Sequence, residues 1–318
     1  MSPLVLLENV LQALIAGLLI GSVYALMCLG LGLIFGVMRV INFAQGEFLM
    51  LGMYGTLYAY TWLALDRILG PYLGPIVAAV LAGVLLYFVG ILLHRYLLAR
   101  VTGMRVAGSE GEGHYPQLIL TLGLSLILAN GGLIFFGSTP ENIRTPLSAS
   151  AWEIGPFADQ LSVFLNKARS VAFLVSIAVA VLLFLFIGRT RIGKMLRAAA
   201  DNPEAATYMG IDVQRAHRIA FGLGCAVTAL AGGLVATYYP FQPYVGLEFV
   251  IIMYAGVVLG GMGSIGGAFW GGLTIGLVQQ LSTLVLPVQL QNTAIFVVFL
   301  LIMMLRPEGL FGRNVERA

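Results

Sequence analysis

The sequence predicts an all-α, polytopic membrane protein. Of 318 residues, 59% are apolar and only 10% are charged, whereas a soluble domain carries about a quarter charged residues. The charges are also clustered. Asn9–Met38, Ile68–His94, Ile219–Leu247 and Phe249–Leu305 contain no Asp, Glu, Lys or Arg. A helix that crosses a bilayer needs about 20 apolar residues, and each of these stretches is longer. Mean hydropathy is +0.95. This composition excludes a soluble enzyme, a disordered chain and a nucleic-acid binder. The net charge of +3 identifies no partner.

In chain order, the apolar runs place spans at 10–36, 45–65, 74–97, 117–137, 170–188, 218–238, 247–263, 267–286 and 291–305. The first run is long enough to hold a break, which Gly30, Gly32 and Gly36 would permit. The seventh and eighth are joined by a glycine-rich, uncharged segment and are either two crossings or one crossing with a re-entrant piece. The expectation is about eight spans, seven to nine. No Lys or Arg precedes Arg39. The basic start of a secretory signal is therefore missing, and the first run is expected to stay in the mature protein.

Basic residues orient the chain. Arg95, Arg100 and Arg105 follow the third span, Arg189 to Arg218 follow the fifth, and Arg306, Arg313 and Arg317 end the chain. These three segments are assigned to the cytoplasm. Lys167 and Arg169 are a mild violation on the opposite side. Nine spans put the N-terminus outside and eight put it inside. The largest external loop is 138–168, with Pro140, Pro146 and Pro156 and an amphipathic patch at Trp152–Phe164. That patch reads as a short helix lying on the membrane surface, or as a docking surface for an external partner.

Chemical motifs are sparse. Gly188–Met195 approaches a phosphate-binding loop, but Met195 replaces the Ser or Thr that would hold magnesium. Gly261–Gly266 matches G-x-G-x-x-G without a surrounding βαβ unit. His94, His114 and His217 lie in or beside different loops, and no metal cluster is expected. Cys28 and Cys225 sit inside apolar spans and read as small packing residues. No cofactor is expected, and the short stretch Gly108–His114 has no assigned role.

Three segments are informative. The first is the cytoplasmic loop 189–217. Leu196–Ala200 and Glu204–Met209 favour helix. Asp201 and Asn202 can cap the second piece, Pro203 suits its first position and Gly210 can end it in a left-handed conformation. The second is Met38–Phe48, which interrupts apolar sequence with Asn42, Gln45, Gly46 and Glu47. It is either a cytoplasmic turn or a polar stretch at membrane depth, where such residues mark pathways or helix breaks. The third is Gly256–Gly276, whose glycines permit close helix packing or backbone breaks along a pore.

Glu204-Ala205-Ala206-x-x-x-Gly210 resembles the EAA-x3-G loop of ABC importer permeases, although the usual Ile-x-Leu-Pro continuation is replaced by Arg218-Ile219-Ala220-Phe221. Asn42-Phe43-Ala44-Gln45-Gly46-Glu47 resembles the signature of branched-chain amino acid ABC permeases. Gly21–Leu26, Thr121–Ser125, Val258–Gly272 and Arg306–Gly312 extend the likeness over nearly the whole chain. It is most similar to the H-type of the two permeases in such systems.

The resemblance implies one transmembrane permease domain over residues 1–318 of a high-affinity importer in the bacterial inner membrane, itself not an enzyme. Its implied partners are a second, paralogous permease, two cytoplasmic ATPases and a periplasmic substrate-binding protein, within a lipid bilayer and without nucleic acid. Arg197, Asp201, Glu204, Ala205, Ala206 and Gly210 would form the coupling helix that seats on an ATPase. Asn42, Gln45, Glu47, Gly260, Gly261 and Gly263 would line the pathway. The substrate would be a branched-chain amino acid or a related small zwitterionic or neutral solute, moved by ATP-driven alternating access. Urea, amide and aromatic-acid permeases share the signature. A different class, the ion-coupled secondary transporter, would need an intramembrane carboxylate, for which Glu47 and Glu248 are the candidates.

Overall fold

A computed structural model describes residues 3–102, 115–157, 161–306 and 308–312. Gly108–His114 lies outside the described residues. All nine apolar runs are helical. They are α1 (Pro3–Met38), α2 (Gln45–Trp62), α3 (Leu65–Leu93), α5 (Tyr115–Phe136), α6 (Lys167–Arg189), α9 (Val213–Val235), α10 (Val245–Gly260), α11 (Ile265–Ser282) and α12 (Gln291–Leu305). Five of these helices are long and apolar enough to cross a membrane, and two shorter apolar helices are Val245–Gly260 and Gln291–Leu305. The chain is a multi-pass, helical membrane protein.

The helices form an inner and an outer group. α1 packs against α6, α9, α10 and α11, and it is buried along most of its length. It is apolar on every side, as a helix surrounded by others must be. Gly30, Gly32 and Gly36 do not break it. They are spent on contacts, for a side chain on Gly32 would meet the Ala268 methyl at 2.7 Å. α9 is similarly enclosed, whereas α3, α5 and α6 present large apolar side chains outward. α1 and α11 run antiparallel, because Gly17 lies beside Gly276 and Leu277 while Gly36 lies beside Gly263 and Ile265.

α3 carries a break at Gly70 (φ +75°), followed by Pro71 and Pro75. This accounts for a predicted span that starts near 74. α3 then passes into a π-helical turn at His94–Leu98 and the short α4 (Ala99–Thr102).

The loop over 138–168 differs from expectation. The amphipathic patch at Trp152–Phe164 is a β-hairpin and not a helix: β1 (Ala151–Phe157) pairs antiparallel with β2 (Leu161–Asn166), with a bulge between Ile154 and Phe157. Gly155 at φ +141° and Pro156 are poor helix residues, and Val163 and Phe164 favour a pleated surface. Gln12 of α1 holds the hairpin. Its Nε2 donates to the Phe164 carbonyl at 2.7 Å, and its Oε1 accepts from the Phe164 amide at 3.0 Å. A second tie joins Glu141 to Phe241 through paired backbone bonds of 2.8 and 2.9 Å.

Residues near the C-terminus cap α10. The amides of Leu310 and Phe311 donate to the carbonyls of Leu259 and Gly260 at 2.8 and 3.1 Å. They satisfy acceptors that every helix end leaves open.

Candidate functional site

Two places bring the predicted residues together. The first is the elbow between α6 and α9. It holds α7 (Arg191–Asp201) and α8 (Pro203–Tyr208). Each begins on a side-chain cap: Thr190 Oγ1 accepts from the Gly193 amide at 3.0 Å, and Asn202 Oδ1 accepts from the Ala205 amide at 2.9 Å. Asn202, not Asp201, is the cap, and Asp201 is the last residue of α7. Pro203 occupies the first turn of α8, where its missing N–H costs nothing.

α8 ends at Gly210 (φ +79°). The Gly210 amide donates to Thr207 and the Ile211 amide reaches back to Ala206, both at 3.0 Å. This paired closure makes α8 a compact knob. Ala206 is buried against the body, while Glu204 and Ala205 face out. Tyr208 and Met209 are 88% and 82% exposed. A hollow of about 550 Å³ beside them is lined by Glu204, Thr207, Asp212 and Gln214. Arg197 turns back to the carbonyl of Gly188 at 3.1 Å and so braces α7 against the end of α6.

The second place lies inside the helix bundle. The Asn42–Glu47 segment is not a solvated turn. Asn42, Gln45 and Glu47 are all buried. The reason is tertiary. α2 begins against the middle of α9, where Gln45 Nε2 donates to Thr228 Oγ1 at 2.6 Å and to the Gly224 carbonyl at 3.2 Å. Asn42 Nδ2 donates to Gln45 Oε1 at 2.9 Å, and Asn42 Oδ1 accepts from the Ala44 amide at 3.2 Å. The Ile41 carbonyl accepts from Thr121 Oγ1 of α5 at 3.2 Å.

Glu47 differs from its neighbours. Ser125 donates to its Oε1 at 3.3 Å, while its Oε2 is buried without a hydrogen-bond partner. The carboxylate lies flat against Gly246 in the first turn of α10, and a Cβ there would sit 2.8 Å from it. It faces the N-terminus of that helix, a favourable place for negative charge. Gly46 lies against the backbone of Gly246, so α2 and α10 cross through a contact without side chains.

Gly260, Gly261 and Gly263 are not part of this cluster. Gly260 packs on Gly267. Gly261 (φ +102°) and Gly263 (φ +97°) form the turn into α11. Gly263 shares the wall of a cavity of about 830 Å³ with Arg39, Ile41, Asp201 and Phe311.

Residues 13–305 match the sequence model of a family described as branched-chain amino acid transport system / permease component. The chain belongs to this permease family. Similar curated relatives include the high-affinity branched-chain amino acid transport system permease protein LivH of Escherichia coli (strain K12), 30% identical over 314 residues. This match covers 96% of this chain and 97% of the relative. BraD of Pseudomonas aeruginosa, of the same description, is 31% identical over 309 residues, with 96% and 97% covered. A probable LivH permease of Methanocaldococcus jannaschii is 32% identical over 265 residues, covering 82% of this chain and 78% of its own length. No solved structure matches the chain significantly.

In this permease the structure adds residues that the motifs alone did not select. Thr228 and Gly246 complete the buried cluster, and Tyr208 and Met209 dominate the exposed face of α8. Thr121 and Ser125 were legible as part of the family likeness, and their spacing of four places both hydroxyls on one helix face. Nothing local announced Thr228 or Gly246, because each acts through a contact with a distant segment.

Proposed function

We propose that the permease is the membrane subunit of an ABC importer for a branched-chain amino acid or a related small zwitterionic or neutral solute. The observation that carries this reading is α8, a capped, six-residue knob outside the apolar band that holds Tyr208 and Met209 in the open. Large apolar side chains exposed beyond the membrane mark a contact with another protein. Two ATPases would receive this knob and its copy on a second permease. A periplasmic binding protein would deliver substrate to the external face, near the β1–β2 hairpin and Tyr238–Glu248.

Translocation would pass the buried polar segment. There, Asn42, Gln45 and Glu47 offer dipoles and a carboxylate to a zwitterion, while the surrounding aliphatic side chains suit an apolar substituent. The bacterial inner membrane follows from the same reading. The reaction at this chain would be conformational, with ATP hydrolysis on the ATPases.

The test is Glu204→Lys in the assembled importer. Uptake should be lost while the chain stays folded in the membrane, and uptake equal to wild type overturns the coupling role of α8. The unpartnered Glu47 Oε2 favours a second reading, an ion-coupled transporter, because such machines carry a cation on an intramembrane carboxylate. Uptake by the isolated chain that follows an ion gradient and ignores ATP would select it.

A further inference from the structure

Arg39 stands just past the end of α1, at a position where a helix usually places glycine. Its amide donates to the Phe35 carbonyl at 2.8 Å, and its φ is +53°. That conformation is strained for any residue with a Cβ. Among the described residues only Ala64 shares it without being glycine. A bulky residue kept in such a conformation points to a use for its side chain.

The side chain does find a use. The guanidinium Nη2 lies 3.5 Å from the Ala200 carbonyl, an exposed contact at the outer limit of a hydrogen bond. Ala200 is in the last turn of α7, where the carbonyls gather negative charge. α7 has no basic residue of its own in that turn. Arg39 supplies the missing cation from a membrane helix, along the wall of the cytoplasmic cavity. Asn202, two residues past Ala200, caps α8. In the other direction, three residues past Arg39, Asn42 opens the buried polar cluster.

We propose that Arg39 is a positioning strut that ties the end of α7, and with it the α8 knob, to the Asn42–Glu47 segment. A displacement of α8 then has a route to the start of α2 through this side chain, beside the packing of α7 and α8 on α9 and of α9 on α2. The strut rests on the importer reading, because it gives α8 a driven motion to transmit.

The test uses the complete importer, with its ATPases and binding protein, in liposomes. L-leucine uptake and ATP hydrolysis are measured together. Arg39→Asn removes the cation but keeps a residue that tolerates a left-handed backbone, and Arg39→Lys keeps the cation. Leucine taken up per ATP should fall about fivefold or more in Arg39→Asn, with hydrolysis and melting temperature retained, and recover in part in Arg39→Lys. A wild-type ratio in Arg39→Asn overturns the strut alone. So does a parallel fall of hydrolysis, uptake and melting temperature in both variants, which is what a merely structural residue would give. Wild-type liposomes in which the assembled complex neither hydrolyses ATP nor takes up leucine with ATP overturn the importer reading instead, and the strut falls with it.

Discussion

The α1–α11 seam and the α2–α9 crossing are both built on small residues, yet they hold different things. Along the seam, Gly21 and Gly276 meet backbone to backbone, and a Cβ on Gly272 would lie 2.6 Å from the Ala25 Cα. At the crossing, Gly52 rests on Ala229 and Gly232 on Leu49, but the gap beside them is filled by Asn42, Gln45 and Thr228. Inside a bilayer, close packing is itself the main force between helices. A glycine seam therefore gains nothing by opening. A hydrogen-bonded crossing can exchange its bonds for those of water or a solute at small net cost. Small residues alone do not reveal which contacts are fixed and which can rearrange. The polar groups that they enclose do.

The largest effect that would break this contrast is on the seam. Gly276→Val should abolish recovery of folded protein, because the new side chain must displace the α1 backbone at Gly21, an overpacking cost of about 3 kcal/mol or more. Gly266→Ala, a position with open space around it, should leave the melting temperature in detergent within a few degrees of wild type. Equal behaviour of the two variants would remove the seam from the account.

At the crossing the expected effect is intermediate. Gln45→Leu strands the Asn42 amide and the Thr228 hydroxyl, which should cost about 1–3 kcal/mol. Thermal unfolding in detergent would read it, and no loss would mean that water already serves those groups.

The smallest effect on stability belongs to Glu47→Gln. It keeps the shape and removes a buried carboxylate that has no ion pair among the described residues. The melting temperature should therefore stay level or rise, by about 1 kcal/mol at most. Uptake should nevertheless fall if the carboxylate meets the solute. Full uptake would take Glu47 out of the pathway.

What the sequence revealed depended on how local the cause was. The elbow was legible, because Asn202, Pro203 and Gly210 act on their own backbone within a few residues. Only the choice between Asp201 and Asn202 as cap was left open. The nine helical runs were legible for the same kind of reason, since length and apolarity are properties of a segment. The hairpin replaces the expected surface helix: Trp152 and Phe164 fit an amphipathic pattern, while Gly155, Pro156 and the run Val163–Phe164 favour strands. The depth of Asn42–Glu47 was left open between a turn and a polar stretch at membrane depth. It is set by Gly46 meeting Gly246 and by Gln45 meeting Thr228, two pairings across about two hundred residues of sequence that no local pattern announces.

α1 has one further consequence. Gln12 grips the β1–β2 hairpin near one end of it, and Arg39 reaches the elbow from the other. Between them the helix has neither proline nor break, a rod of about 40 Å at 1.5 Å per residue. A push on the hairpin need not be relayed by successive repacking of the bundle. It would reach the opposite face as the motion of one stiff shaft together with α11, to which the glycine seam locks it along its length.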